Sequence, residues 1–143
     1  MTQATKPTTG FWIIGVLSLL WNLSGVAAYL MQVTMTPETL QQLPAGQRSM
    51  YESVPLWATS AFAIAVWGST LGSVLLLMKK QLARRVFMVS LAAILVQQFH
   101  AFVIANAIGV LGASSAILPA CILLVGIFLV WYSTMARDKG WLV

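Results

Sequence analysis

Few residues in this chain could do chemistry, and those that could lie inside long apolar stretches. In the first stretch Ser18, Asn22, Gly25, Tyr29 and Gln32 follow one another at intervals of four, three, four and three. That spacing puts them on one face of a helix. In the third stretch stand Gln97, Gln98, His100 and Asn106. Amides both donate and accept hydrogen bonds, and so does the imidazole of His100, the only histidine. Counting a helical rise of about 1.5 Å per residue puts Asn22, Trp67, Gln97 and Gln98 at nearly one depth. A polar layer at that depth offers hydrogen-bonded recognition of a small neutral or zwitterionic solute, with Asn22, Tyr29, Gln97, Gln98 and His100 as its contacts. The same layer could instead tie helices together. Gln97 and His100 share a helix face, while Gln98 points about 100° away, toward a neighbouring subunit.

Other chemistries find no residues to carry them. The only acids are Glu38, Glu52 and Asp138, and none falls in an apolar stretch, so carboxylate-based proton coupling is missing. Ser18, Ser24, Ser60 and Ser90 have no acidic group to orient a base, and no enzyme activity is expected. Cys121 is the single cysteine, which excludes an internal disulfide, a redox pair and a thiolate zinc cluster. One histidine without companions makes a poor metal or haem site, so neither metal nor cofactor is expected.

The elements that hold these residues follow from composition. Of 143 residues, 59% are hydrophobic and 8% charged, too few to give a soluble body its polar coat. One domain, residues 1–143, is expected, lying in a lipid bilayer. Four stretches reach the ~20 apolar residues that a helix needs to cross: about 11–32, 55–78, 86–110 and 117–135. Backbone polar groups in lipid must be paired internally, so each reads as a helix. The fold class is an all-α membrane protein, an antiparallel bundle of four transmembrane helices. Lys6, Lys79, Lys80, Arg84, Arg85, Arg137 and Lys139 would all lie on one side and only Arg48 on the other. The positive-inside rule then places both termini in the cytoplasm. Basic residues in short clusters between apolar runs flank membranes, so the net charge of +5 does not indicate nucleic acid.

The connections differ in length. Residues 33–54 make a longer external loop, expected to cap the bundle, with a helix start at Thr36-Pro37-Glu38. Lys79 to Arg85 is short enough to force an antiparallel hairpin. In the second span Ala58, Ala61, Ala65, Gly68 and Gly72 form a smooth stripe for close helix contact, the helix-packing residues being Ala61, Ala65, Gly68 and Gly72. Such a stripe on so thin a bundle suggests a homo-oligomer, most simply a dimer. Trp67, at mid-depth, is expected to fill space between helices, and Trp131, Tyr132 and Trp141 to form an interfacial aromatic belt.

Four local patterns are familiar together: Trp21-Asn22-x-x-Gly25-x-x-x-Tyr29-x-x-Gln32, Tyr51-Glu52-x-x-Pro55-x-Trp57, Gln98-x-His100-Ala101-Phe102 and Gly140-Trp141-Leu142. Through them the chain resembles a family of small bacterial four-helix inner-membrane proteins without an established function, some loosely labelled sugar transporters. The resemblance implies a multi-pass protein of a bacterial inner membrane and brings no site residues. Two functions therefore stand at this point. One is binding or passage of a small neutral or zwitterionic solute. The other is a non-catalytic accessory or scaffold subunit of a larger membrane complex, with another membrane protein as partner.

Overall fold

The computed structural model describes residues 5–143, and among these every regular element is helical. The long helices are α1 (Thr9–Val33), α4 (Leu56–Leu77), α5 (Leu82–Phe99) and α7 (Ile117–Asp138). Between them lie the short α2 (Pro37–Gln41), α3 (Ala45–Ser53) and α6 (Ala107–Leu111). Four helical stretches, α5 counted with the turn that follows it, are long and apolar enough to cross a membrane. The chain is thus built as an integral membrane protein of four spans.

The spans pack in chain order: α1 on α4, α4 on α5, α5 on α7. The small-residue stripe sets the closest of these contacts. A Cβ at Gly72 would come within 2.7 Å of the Phe87 ring, and one at Gly68 would collide with Ser90 Oγ. Only glycine lets α4 and α5 approach so closely. The stripe is therefore occupied by α5 of the same chain, which removes it as a reason to expect a dimer. Trp67 also departs from expectation. It lies on the outer face of α4, 49% exposed, because the inner face is filled by alanine and glycine.

The end of the bundle where α1 begins and α7 ends is solid. Phe11 stacks on Tyr132 with ring centroids 6.4 Å apart and meets Trp141 edge-on at 5.8 Å. Leu76, Phe87, Leu129 and Leu142 complete this cluster. Tyr132 and Trp141, expected in a belt, are thus core residues, and only Trp131 faces outward. The chain folds back to make this possible. Gly140 takes a φ of 76°, and the Trp141 N–H returns to the Ala136 carbonyl at 2.9 Å, a Schellman stop. The Val143 N–H then donates to the Lys79 carbonyl at 2.6 Å, pinning the tail across the α4–α5 turn. That turn is shorter than expected. Arg84 and Arg85 already belong to α5, and Arg84 Nε donates to Thr134 Oγ1 at 2.9 Å.

The opposite end is capped. Thr36 accepts from the Thr39 N–H and Pro37 opens α2, as the sequence suggested. Arg48 closes the cap by donating to the carbonyls of Gln41 at 2.9 Å and Leu43 at 3.3 Å. α3 then rests on α6, where Gly46 passes close to Val110.

The third span differs most from its expected extent. It ends at Ile104 rather than 110. From His100 to Ile104 the helix widens to a π turn, in which the Ala105 N–H bonds the His100 carbonyl at 2.8 Å. Asn106 then takes a left-handed φ of 51° and caps α6 through Oδ1 to the Gly109 N–H at 3.3 Å. Asparagine is among the few residues that tolerate this conformation. Asn106 is accordingly a helix cap and not part of a polar layer inside the span.

Candidate functional site

The polar residues of the four spans divide into those that are partnered and those that are free. Asn22, 7% exposed, is partnered: its Nδ2 donates to the Ser69 carbonyl at 3.0 Å and to Ser73 Oγ at 2.8 Å. Ser73 Oγ in turn donates to the Ser69 carbonyl at 3.0 Å, and Ser18 Oγ donates to Ser73 Oγ at 3.2 Å. This network ties α1 to α4. Gln98 is partnered as well. It turns to α7 of its own chain, where Nε2 donates to the Pro119 carbonyl at 2.7 Å. The expectation that it faces another subunit does not hold.

Gln97 and His100 are free. Their helix face carries them toward a cavity of about 580 Å³ between the outer ends of the spans and the cap. Gln32 from α1 and Gln47 and Tyr51 from α3 line the same cavity, and Leu118 and Pro119 supply its α7 wall. His100 is 6% exposed and packs edge-on against the Trp57 indole, with centroids 5.2 Å apart. Among the described residues neither its ring nitrogens nor the Gln97 amide has a hydrogen-bond partner, in contrast to Asn22 and Gln98. Gln97 is only half-buried and both side chains line the cavity, so their donors and acceptors are open to a molecule lying in it. The π turn begins at His100, and such turns are frequent at functional sites.

Deeper in the bundle lies a second, more enclosed cavity of about 260 Å³, lined by α1, α4, α5 and α7. Phe62, Gln97 and Leu118 line both cavities, so the two adjoin. Beyond Asn22, whose amide hydrogens are already used, the lining is mostly aliphatic and aromatic: Trp21, Ala28, Val66, Ile122 and Val125. Among the described residues no Lys, Arg, Asp or Glu lines either cavity. Below them the aromatic core closes the bundle.

Of the five expected contacts, Gln97 and His100 come together in the outer cavity, while Asn22 reaches only the inner one. Gln98 lines neither cavity. Tyr29 packs edge-on against Phe62 at 5.5 Å, behind a residue that lines both. The midplane layer is thus not one network, because Trp67 faces outward and the amides point different ways. Sequence reasoning missed Ser69 and Ser73, whose four-residue spacing beside the alanine–glycine stripe was the available signal. It also missed Gln47 and Tyr51, which only the fold of the cap brings inward. Among the described residues no three of His, Cys, Asp and Glu gather where they could hold a metal ion. No protein-family model, no curated protein and no solved structure matches the chain.

Proposed function

We propose that the protein binds a small uncharged or zwitterionic molecule in the cavity beneath the α2–α3 cap. The observation that carries this reading is the pair Gln97 and His100, directed into one cavity with their hydrogen-bonding groups unused. The Gln97 amide and the His100 imidazole keep donors and acceptors that a ligand seated in the cavity can bond. Gln32, Gln47 and Tyr51 add donors and acceptors around the same space. The absence of ionised side chains from the lining favours a ligand without net charge.

By the positive-inside rule the basic end of the bundle, with both termini, faces the cytoplasm of a bacterial inner membrane. The cavity then opens toward the external side and is closed on the cytoplasmic side by Phe11, Tyr132 and Trp141. Passage across the membrane would require that aromatic core to part, so binding is the primary activity and transport a further step.

Native mass spectrometry of the protein, released gently from its own membrane, tests the reading. A reproducible small-molecule adduct that disappears in the Gln97→Leu/His100→Leu variant is the expected result. A stoichiometric complex with another protein and no adduct would refute it in favour of an accessory subunit.

A further inference from the structure

The two cavities differ in character, and the difference specifies the ligand. The outer one presents free hydrogen-bonding groups from Gln32, Gln97 and His100. The inner one, at mid-depth, is lined mostly by aliphatic and aromatic side chains, and Asn22 spends its amide hydrogens on α4. At about 260 Å³ it exceeds the roughly 150 Å³ apolar cavity that suffices to hold benzene. The two adjoin at Phe62, Gln97 and Leu118.

The helix arrangement adds a route. α1 packs on α4 and α7 on α5, but α1 and α7 form no comparable contact with each other. They meet at the aromatic core, through Phe11 and Tyr132. Beyond it the inner cavity lies between them, with Trp21 and Ala28 on the α1 side and Ile122 and Val125 on the α7 side. Ala28 and Leu118 are exposed at its margin. A cleft between two membrane-spanning helices opens to lipid, not to water.

We infer that the ligand is a neutral amphiphile, whose uncharged hydrogen-bonding headgroup sits with Gln97 and His100 beneath the cap and whose apolar tail lies in the cleft between α1 and α7. The inference rests on the binding reading above and deepens it. The molecule enters sideways from the bilayer. Its head takes up the unpaired amide and imidazole, and its tail fills the apolar space at mid-depth. A purely water-soluble ligand would leave that space empty. An anionic headgroup would find no cation in the lining.

The test uses 1-monooleoylglycerol with a photoreactive diazirine in its tail, added to the full chain in phosphatidylcholine nanodiscs. Cross-linked sites are mapped by mass spectrometry, with and without excess unlabelled monooleoylglycerol. The expected result is labelling on the cleft faces of α1 and α7 that unlabelled monooleoylglycerol suppresses, while labelling on the outer face around Trp67 does not change. Glycerol and the anionic oleoyl lysophosphatidate should not compete. Ala28→Phe, which fills the cleft from an exposed position, should weaken the competed labelling about tenfold, equivalent to about 1.4 kcal/mol. Leu118→Trp repeats the obstruction from the α7 side.

Uncompeted, even labelling of all lipid-facing surfaces would overturn the inference. If native mass spectrometry then still shows a water-soluble adduct dependent on Gln97 and His100, only the amphiphile falls and the binding site stands. If it shows no adduct, both fall. Uncompeted labelling together with a dimer that Ala28→Phe converts to monomer would assign the cleft to a second copy of the chain, which also overturns the inference.

Discussion

Replacing Asn22 by leucine separates structural from binding polarity. Asn22 Nδ2 makes two interhelical bonds, to the Ser69 carbonyl and to Ser73 Oγ. Interhelical hydrogen bonds in membranes average about 0.6 kcal/mol and reach about 1.7. Asn22→Leu should therefore cost about 1 kcal/mol, and no more than about 3, if each bond counts once. Ser69 and Ser73 keep their own bond, so the loss is confined to the α1–α4 contact. Unfolding in bicelles, followed by steric trapping, measures the change. A double-mutant cycle of Asn22→Ala with Ser73→Ala should show coupling of about 0.6 kcal/mol. By contrast, Gln97→Leu and His100→Leu break no hydrogen bond among the described residues. They should leave stability within about 1 kcal/mol of the parent, or raise it, by removing unpaired polar groups. The reasoning would be refuted by the reverse pattern, with Asn22→Leu unchanged in stability and Gln97→Leu strongly destabilised.

Three further outcomes follow from the packing. Gly72→Ala forces a methyl into the buried Phe87 ring and should destabilise the α4–α5 pair by about 1–3 kcal/mol in the same unfolding assay. Ser90→Ala removes a buried hydroxyl that has no partner among the described residues, so its stability should stay within about 1 kcal/mol of the parent or rise. Arg48→Ala removes the two bonds that close the cap. Hydrogen exchange should then speed up across Pro37–Gln41 and Ala45–Ser53 while the four spans keep their protection.

Much of the fold was legible because lipid imposes simple demands. Length and hydropathy located α1, α4 and α7, and Thr36 and Pro37 marked the start of α2. The third span misled because hydropathy continues past the point where its backbone stops. Ala107 to Val110 is as apolar as a span, and the break depends on Asn106 adopting a left-handed conformation. Nothing local announces a π turn at His100, since it concerns hydrogen-bond register and not residue type. Spatial order was equally hidden. The glycine stripe on α4 could have faced another chain, and only the packing of Phe87 and Ser90 against it assigns it to α5.

The candidate site was half legible. A period of three and four residues is enough to say which side chains share a face, and Gln97 and His100 line one cavity. It cannot say which amides already have partners. Asn22 and Gln98 looked equivalent to Gln97 until Ser69, Ser73 and the Pro119 carbonyl came within reach. Tyr132 and Trp141 read as an interfacial belt because aromatics near a span end usually are one. The backfolded tail, which depends on a positive φ at Gly140, turns them into core.

The most direct test of the central claim is whether water-borne molecules reach Gln97 and His100 from the capped end. Cys121 is the only cysteine, so Cys121→Ser gives a thiol-free background. In it, Gln97→Cys and His100→Cys should react rapidly with a small membrane-impermeant thiol reagent applied at the capped side, and Ser73→Cys, sealed in the helix interface, should not. If both cavity cysteines are as unreactive as Ser73→Cys, the cavity does not open to water at the capped end, and the account of a binding cavity facing the external side fails.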